Sequence, residues 1–354
     1  MTVHLFDPIT IRGTEFSNRV WVSPMCQYSA KDGIVGAWHQ VHLGSFATGG
    51  AGLIIAEATG VVPEGRISIG CPGLYNDEQV KAWKVITEFA HAMGTKIGIQ
   101  LAHAGRKGGT TIPGSDHLMA TAAEGGWTPV APSAIAFEGY PTPHELTVAE
   151  IKALVTAWAQ SATRAIAAGF DVLEIHAAHG YLLHEFYSPL SNTRTDEYGG
   201  SFENRTRFLK EIVVAVREVI PTSMPLFVRI SASDWTEGGW TIEESVKLAP
   251  ELISLGADLI DTSSGGNVHN AKITPGPGYQ VHFSEAIKTQ GGVTTSVVGM
   301  ITDPLQAEEI IASGQADAVM LARQFLRNPR WPLHAAKVLG QEVKWQPQLI
   351  RAKN

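Results

Sequence analysis

The sequence predicts an α/β fold, a (β/α)8 TIM barrel built as a single domain over residues 1–354. Two observations predict it. Short apolar runs alternate with longer helical patterns from end to end, and no linker divides them. Polar or small residues recur where the strand-like runs end, which is the face on which such barrels bind ligands. A third observation weighs against the runner-up, a doubly wound open sheet with a second domain. That fold wants Gly-x-Gly-x-x-Gly after its first strand; none is present, and Gly49-Gly50-Ala51-Gly52 lies before a strand.

Asn18 to Val22 reads as the first strand and runs into Ser23-Pro24-Met25-Cys26; Trp38 to Thr48 follows as a helix stopped by Gly49-Gly50. Gly52 to Ala56 is the second strand, ending at Glu57-Ala58. Asn76 caps an amphipathic helix that runs to Met93 and ends at Gly94. Lys96 to Ile99 is the third strand, ending at Gln100. The Gly/Pro-rich stretch 105–143 is too long for an ordinary connection and reads as a functional excursion over the top of the fold. Thr147 with Glu150 forms a capping box for a helix to about Ala168, and the run from Phe170 to Ile175 is the fourth strand, delivering His176.

Ser201 to Ile220 is a helix with Ser201 and Asn204 as possible caps. Leu226 to Val228 is the heart of the fifth strand, from which Arg229 emerges. Thr241 and Glu244 form a second capping box for a helix to Leu255. Leu259 to Thr262 is the sixth strand, and a short helix lies within Ser284 to Thr289. Thr294 to Val298 is the seventh strand, ending at Gly299, and Asp303 caps the next helix, which runs to Ala312. Ala318 to Leu321 is the eighth strand, ending at Ala322-Arg323, and the last helix covers about Pro332 to Leu339. The tail 341–354 reads as an extended arm without helical periodicity.

Composition narrows the function. Hydrophobic residues make up 44% and charged residues 17%, as in ordinary globular proteins. A net charge of −7 offers no basic footprint for nucleic acid or an anionic membrane surface. No apolar run is long enough to span a bilayer, and Met1 to Ile11 lacks a secretory pattern, so the expected compartment is the cytoplasm. Cys26 and Cys71 are the only cysteines, which excludes a disulfide framework or a cysteine-rich cluster within the chain.

The stretch from Glu174 to Arg205 carries the densest chemistry. His176, His179 and Tyr181 follow directly on a strand, so hydrogen-bond donors and a phenol proton converge at a barrel mouth. Two histidines three apart also serve as surface residues, core residues or half a metal site; the His-Glu-x-x-His spacing of metalloproteases is absent. A helix beginning at His176 would put His176 and His179 on one face and leave Tyr181 off it, so a loop must place the tyrosine. Arg229 in a barrel strand demands a partner, either an ion pair with Glu57 or Asp261 or a bound anion or ring. Gly299, Ala322 and Arg323 close strands seven and eight, where barrels frequently hold phosphate. Together these features point to a phosphorylated planar cofactor over the C-terminal face.

The chain resembles the Old Yellow Enzyme family of FMN-dependent ene-reductases, in its thermophilic-like subgroup. The resemblance covers essentially the whole chain and rests on Ser23-Pro24-Met25-Cys26-Gln27-Tyr28, on Gln100 to Arg106, on His176 to Tyr181, on Ser188 to Arg205, and on Val298-Gly299-Met300-Ile301. It implies that Ser23, Pro24, Met25, Cys26, Ala58, Gln100, Arg229, Ala322 and Arg323 hold noncovalent FMN. It further implies that Cys26 tunes the flavin, that His176 and His179 bind the substrate carbonyl oxygen, that Tyr28 contacts substrate, and that Tyr181 donates the proton. The implied reaction is NAD(P)H-dependent reduction of the activated C=C bond of an enone or enal, with hydride from FMN N5. The implied assembly is a homodimer or homotetramer in which Arg351 enters a neighbour's pocket; Ala352-Lys353-Asn354 departs from the aromatic ending usual in the subgroup. A dienoyl-thioester reductase and, more distantly, a metal-dependent barrel hydrolase using His176 and His179 remain alternatives.

Overall fold

Eight parallel strands close into a barrel in the computed structural model, which describes residues 2–353. The strands are β1 (Val20–Val22), β2 (Leu53–Gly60), β3 (Lys96–Ala102), β4 (Val172–Ala177), β5 (Leu226–Ser231), β6 (Leu259–Ser263), β7 (Thr295–Val297) and β8 (Ala318–Leu321). Each pairs with the next in sequence, and β8 closes on β1. The principal helices are α1 (Ala37–Ala47), α2 (Asp77–Ala92), α3 (Val148–Ala167), α4 (Phe202–Val219), α5 (Ile242–Ser254), α6 (Val281–Gly291), α7 (Pro304–Ala312) and α8 (Trp331–Val338).

The helices sit where their caps and apolar stripes require. Asn76, Thr147, Thr241 and Asp303 each accept a backbone N–H in the first turn of the following helix, as the sequence predicts. Ser201 caps α4 by accepting the Asn204 N–H, so Asn204 lies inside the helix. Leu209, Ile212, Val213 and Val216 form the buried stripe of α4, spaced for one helical face.

Inside the barrel the side chains are layered. At the bottom, Trp21 stacks on Phe227 with ring centroids 5.7 Å apart, and Phe16 packs on Trp21 at 5.1 Å. Phe16 comes from a hairpin of Ile9–Ile11 and Thr14–Phe16 that the sequence reading did not include. Burying each such ring stabilises the fold by roughly 4–6 kcal/mol. Above this plug lies a polar layer. Gln100 Nε2 donates to Glu174 Oε1 at 2.7 Å, and Ser296 Oγ donates to Asp261 Oδ1 at 2.9 Å. Arg229 Nε lies 3.1 Å from Asp261 Oδ2, so Asp261, not Glu57, is the arginine's ion-pair partner.

Three boundaries differ from the sequence reading. β2 runs past Glu57-Ala58 to Gly60, with a register shift between Ala56 and Thr59 that bends the strand. β3 continues beyond Gln100 because Leu101 and Ala102 still pair with Thr59 and Gly60. The tail is not wholly extended: Pro347–Ala352 forms a 3-10 turn, and Gln346 Nε2 donates to Met93 O at 2.7 Å. Within 105–143 lie short 3-10 turns and Val130–Ala131, which pairs with His144–Glu145.

Candidate active site

The loop after β4 forms the centre of the site. His179 has φ 60° and Gly180 φ 67°, a left-handed pair that reverses the chain. Only glycine fits at 180, since a Cβ there would lie 2.1 Å from Gly266 O. Tyr181 then occupies the N-cap position of the short helix Leu182–Tyr187, with its carbonyl accepting the Glu185 N–H at 2.9 Å. The result is a cluster: the His176 ring lies 5.3 Å from that of His179 and 5.2 Å from that of Tyr181, centroid to centroid. The required loop is thus present, and it brings Tyr181 beside the histidines.

Buried polar groups pin this loop from behind. His184 Nδ1 accepts the Gly180 N–H at 2.8 Å, while its Nε2 lies 2.8 Å from Asp234 Oδ1 in a fully buried pair. Ser231 Oγ accepts the His179 N–H at 2.8 Å. Lys107, which the sequence reading did not single out, donates to His179 O and to Gly266 O at 2.9 Å, and its Nζ lies 4.6 Å from the Tyr181 ring centroid. Its position directly after Gly105-Arg106 was the available signal.

Burial sets the charge states. It pushes both His176 and His179 well below the usual imidazole range, with Arg229 adding to the effect, so both rings are neutral. Burial likewise holds the Tyr181 phenol well above its ordinary value, so it keeps its proton. Lys107 is lowered to about 8, again by burial first. Glu174 is raised to about 8, by burial and then by Asp261.

Two cavities open near the cluster. One, about 260 Å³, is lined by Arg229, Ser263, Gly299, Ala322 and Arg323 among others. Gly299 has φ 147° and Met300 φ 53°, which turns the backbone after β7 into that space. The other, about 470 Å³, is lined by Tyr28, Tyr140 and Tyr181, beneath residues 110–118 of the excursion. Ser23 Oγ accepts from Arg229 Nη1 at 3.0 Å, and Ala58 is buried where β2 bends. Pro24, Met25 and half-buried Cys26 follow β1, and Gln27 N donates to the buried Glu57 Oε2 at 2.9 Å. Arg351 is exposed and lines neither cavity.

These residues fit a flavin mononucleotide. His176 Nδ1 is buried without a hydrogen-bond partner among the described residues, while Arg229 is held by Asp261 through Nε and by Ser23 through Nη1 with its cationic head at the mouth, so the site keeps a polar nitrogen and a positive charge for a ring and its ligands. Arg323 beside a turned backbone suits a phosphate monoester. A metal fits less well: among the described residues, the cluster able to hold an ion is Cys26, Glu57 and Cys71, which includes neither histidine.

Residues 4–342 match the NADH:flavin oxidoreductase / NADH oxidase family. The chain belongs to that family. It is 49% identical over 354 residues to an NADPH dehydrogenase of Geobacillus thermodenitrificans (strain NG80-2), covering 99% of each chain. Among solved structures, an Old Yellow Enzyme homologue from Zymomonas mobilis superposes with a TM-score of 0.79 at 29% identity, covering 98% of each chain. A 2-naphthoyl-CoA reductase in complex with 2-naphthoyl-CoA superposes at 0.87 with 26% identity over 96% of this chain; the chain spans about half of it, 52% of its length. The protein is therefore an FMN-dependent NAD(P)H oxidoreductase of the Old Yellow Enzyme type. No helix among the described residues is long and apolar enough to cross a membrane.

Proposed function

We propose that the protein is an ene-reductase that saturates the activated C=C bond of α,β-unsaturated carbonyl compounds. The observation that carries this reading is the neutral His176 and His179 pair, with a free His176 Nδ1, packed against a protonated Tyr181. Bound FMN supplies the hydride chemistry, taking reducing equivalents from NAD(P)H. Ser23, Pro24, Met25, Cys26, Ala58, Gln100 and Arg229 would hold its ring, and Gly299, Ala322 and Arg323 its phosphate.

The chain's own residues polarise and protonate the substrate. His179 Nε2 lies 2.7 Å from Ser263 Oγ; in the tautomer in which that nitrogen accepts, the imidazole proton sits on Nδ1 as a donor to substrate. His176 and His179 then hold the substrate's carbonyl oxygen, and their hydrogen bonds strengthen as negative charge builds there. Tyr181 gives the phenol proton to the α-carbon. Tyr28, across the same cavity as Tyr181, packs against the substrate. Cys26 would sit beside the bound cofactor and adjust its potential.

Anaerobic spectroscopy tests the reading. NADPH should bleach the yellow holoenzyme, and cyclohexenone should restore the colour with formation of cyclohexanone. A reduced enzyme that no enone reoxidises would overturn it. A second reading, a substrate carried as a conjugated thioester, draws on the likeness to 2-naphthoyl-CoA reductase; faster reoxidation by an enoyl-CoA than by cyclohexenone would favour it.

A further inference from the structure

The two cysteines of this chain lie 45 residues apart in sequence and meet in space. The sulfurs of Cys26 and Cys71 and a carboxylate oxygen of Glu57 all lie within 4.8 Å of one another. Cys71 is fully buried and Cys26 is half-buried. The segments that carry them are stitched together: Ala30 N donates to Gly70 O at 2.8 Å. A Cβ at Gly70 would lie 2.6 Å from Tyr28 O, so glycine there permits the close approach. Ser68 Oγ, which accepts the Gly70 N–H at 3.1 Å, sits 3.3 Å from Cys71 Sγ.

We propose that Cys26 and Cys71 form a reversible disulfide when the holoenzyme meets a hydroperoxide, and that this bond switches the enzyme off and shields Cys26 from irreversible oxidation. This goes beyond the reduction of enones and does not depend on the substrate. The more accessible Cys26 reacts first. Its proton passes to the Glu57 carboxylate, and its thiolate attacks the peroxide; the O–O bond breaks, an alcohol or water leaves, and Cys26 becomes a sulfenic acid. The Cys71 thiolate then attacks that sulfur, the S–O bond breaks, and hydroxide leaves as water with the proton held by the pair. In sum, two thiols and one hydroperoxide give one disulfide, one alcohol and one water. The hydrogen bond to Cys71, and then burial, push the Cys26 thiol well above its usual range, so it needs the Glu57 carboxylate to take its proton; the hydrogen bonds accepted from Cys26 and Ser68 push the Cys71 thiol down, which suits the resolving nucleophile. Closing from a contact within 4.8 Å to a bond of about 2.0 Å pulls on the segment 23–28, to which the proposed function assigns contacts with cofactor and substrate.

The experiment treats FMN-loaded enzyme with hydrogen peroxide, blocks free thiols with N-ethylmaleimide and maps the peptides. A Cys26–Cys71 cross-linked peptide is expected, lighter by two hydrogens than the reduced pair. Turnover should fall in proportion to the cross-linked fraction, and dithiothreitol should restore both. Cys71→Ser should match the parent enzyme before treatment, then gain two or three oxygens at Cys26 and lose turnover that dithiothreitol cannot return. If that variant does not fold, the peptide map of the parent enzyme decides alone. Cys26 oxygenated with Cys71 still free to alkylation, no reaction of either thiol, or stoichiometric zinc on the untreated pair would each overturn the proposal.

Discussion

The ammonium group of Lys107 lies 4.6 Å from the centre of the Tyr181 ring, over its face. A phenol that must surrender its proton in a buried site leaves a phenolate that burial disfavours, and the adjacent cation offsets part of that cost. Burial lowers Lys107 to about 8, so the cation is lost as pH rises through that value. The sign differs for stability. Between about 8 and the ordinary lysine value the unfolded chain binds more protons, so this group makes stability rise with pH while the rate falls. Stopped-flow reoxidation by an enone should therefore show an alkaline limb near pH 8, which Lys107→Met flattens. Tyr181→Phe should slow the same step by about 100-fold or more and spare reduction by NADPH. Equal losses in both half-reactions would count against the assignment.

Neutral imidazoles at 176 and 179 make a second prediction. Phenolic ligands, which present an oxygen to the same donors, should bind without a histidine titration between about pH 5 and 8. His176→Ala with His179→Ala should abolish that binding and slow enone reduction by about 100-fold or more, because one lost oxyanion donor typically costs that much. FMN content, measured from the absorbance of the purified variant, should not change. Full turnover in the double variant would show that the carbonyl binds elsewhere.

Arg323 separates the two ends of the cofactor. If it grips the phosphate, Arg323→Ala should raise the FMN dissociation constant by about 10–100-fold, the worth of one or two charge-assisted hydrogen bonds. Riboflavin, which lacks the phosphate, should bind both forms equally. Fluorescence titration of the apoprotein measures both, and an equal loss for the two ligands would place Arg323 away from the phosphate.

Much of this arrangement was legible in the sequence, for reasons that differ by residue. Thr147 with Glu150 and Thr241 with Glu244 marked the starts of α3 and α5, because a cap is a local interaction between residues three apart. The barrel followed from the alternation of apolar runs, and Arg229 from the rarity of an unpaired charge inside one. The helix Leu182–Tyr187 was not legible: it is only six residues long, and its polar His184 and Glu185 are buried with the rest, so no amphipathic period develops. Lys107 was missed because its importance lies in contacts with Tyr181, His179 and Gly266, distant in sequence. The approach of Cys71 to Cys26 was equally hidden, since it depends on how two loops fold over the barrel mouth.

Glu174 yields a prediction about stability alone. Burial and the nearby Asp261 raise its carboxyl to about 8, above its unfolded value. The folded state then holds a proton that the unfolded chain has lost, so this contribution is complete below the unfolded value and disappears as pH rises toward about 8. Glu174→Gln, which keeps an acceptor for Gln100, should remove the dependence. Its melting temperature should exceed that of the parent enzyme by roughly several degrees at pH 8 and differ little at pH 5. Parallel melting curves of the two proteins across that range would refute the assignment.

The last prediction concerns Arg351 and assembly. The 3-10 turn Pro347–Ala352 has no buried residue, yet Gln346 fastens it to Met93 and Lys353 pairs with Glu342 at 2.6 Å. Ile350 is 50% exposed beside Arg351, so the turn presents an apolar and a cationic group outward together. On α1, Trp38 and Val41 are 57% and 71% exposed and lie three residues apart on one face. Trp38 Nε1 donates to Gln27 at 3.1 Å, in the loop that carries Cys26 and Tyr28. An apolar step this close to the substrate cavity is a natural seat for a second subunit. We expect a homodimer or homotetramer in which Arg351 of one subunit completes its neighbour's substrate pocket. Truncation after Pro347, and Arg351→Ala alone, should raise the KM for enones by about tenfold, the worth of one charge-assisted hydrogen bond, and leave FMN content unchanged. Trp38→Glu should shift the light-scattering mass toward that of a monomer and raise KM by the same factor. Unaltered kinetics in the truncated protein, or a fully active monomer, would show that each active site is complete within one chain.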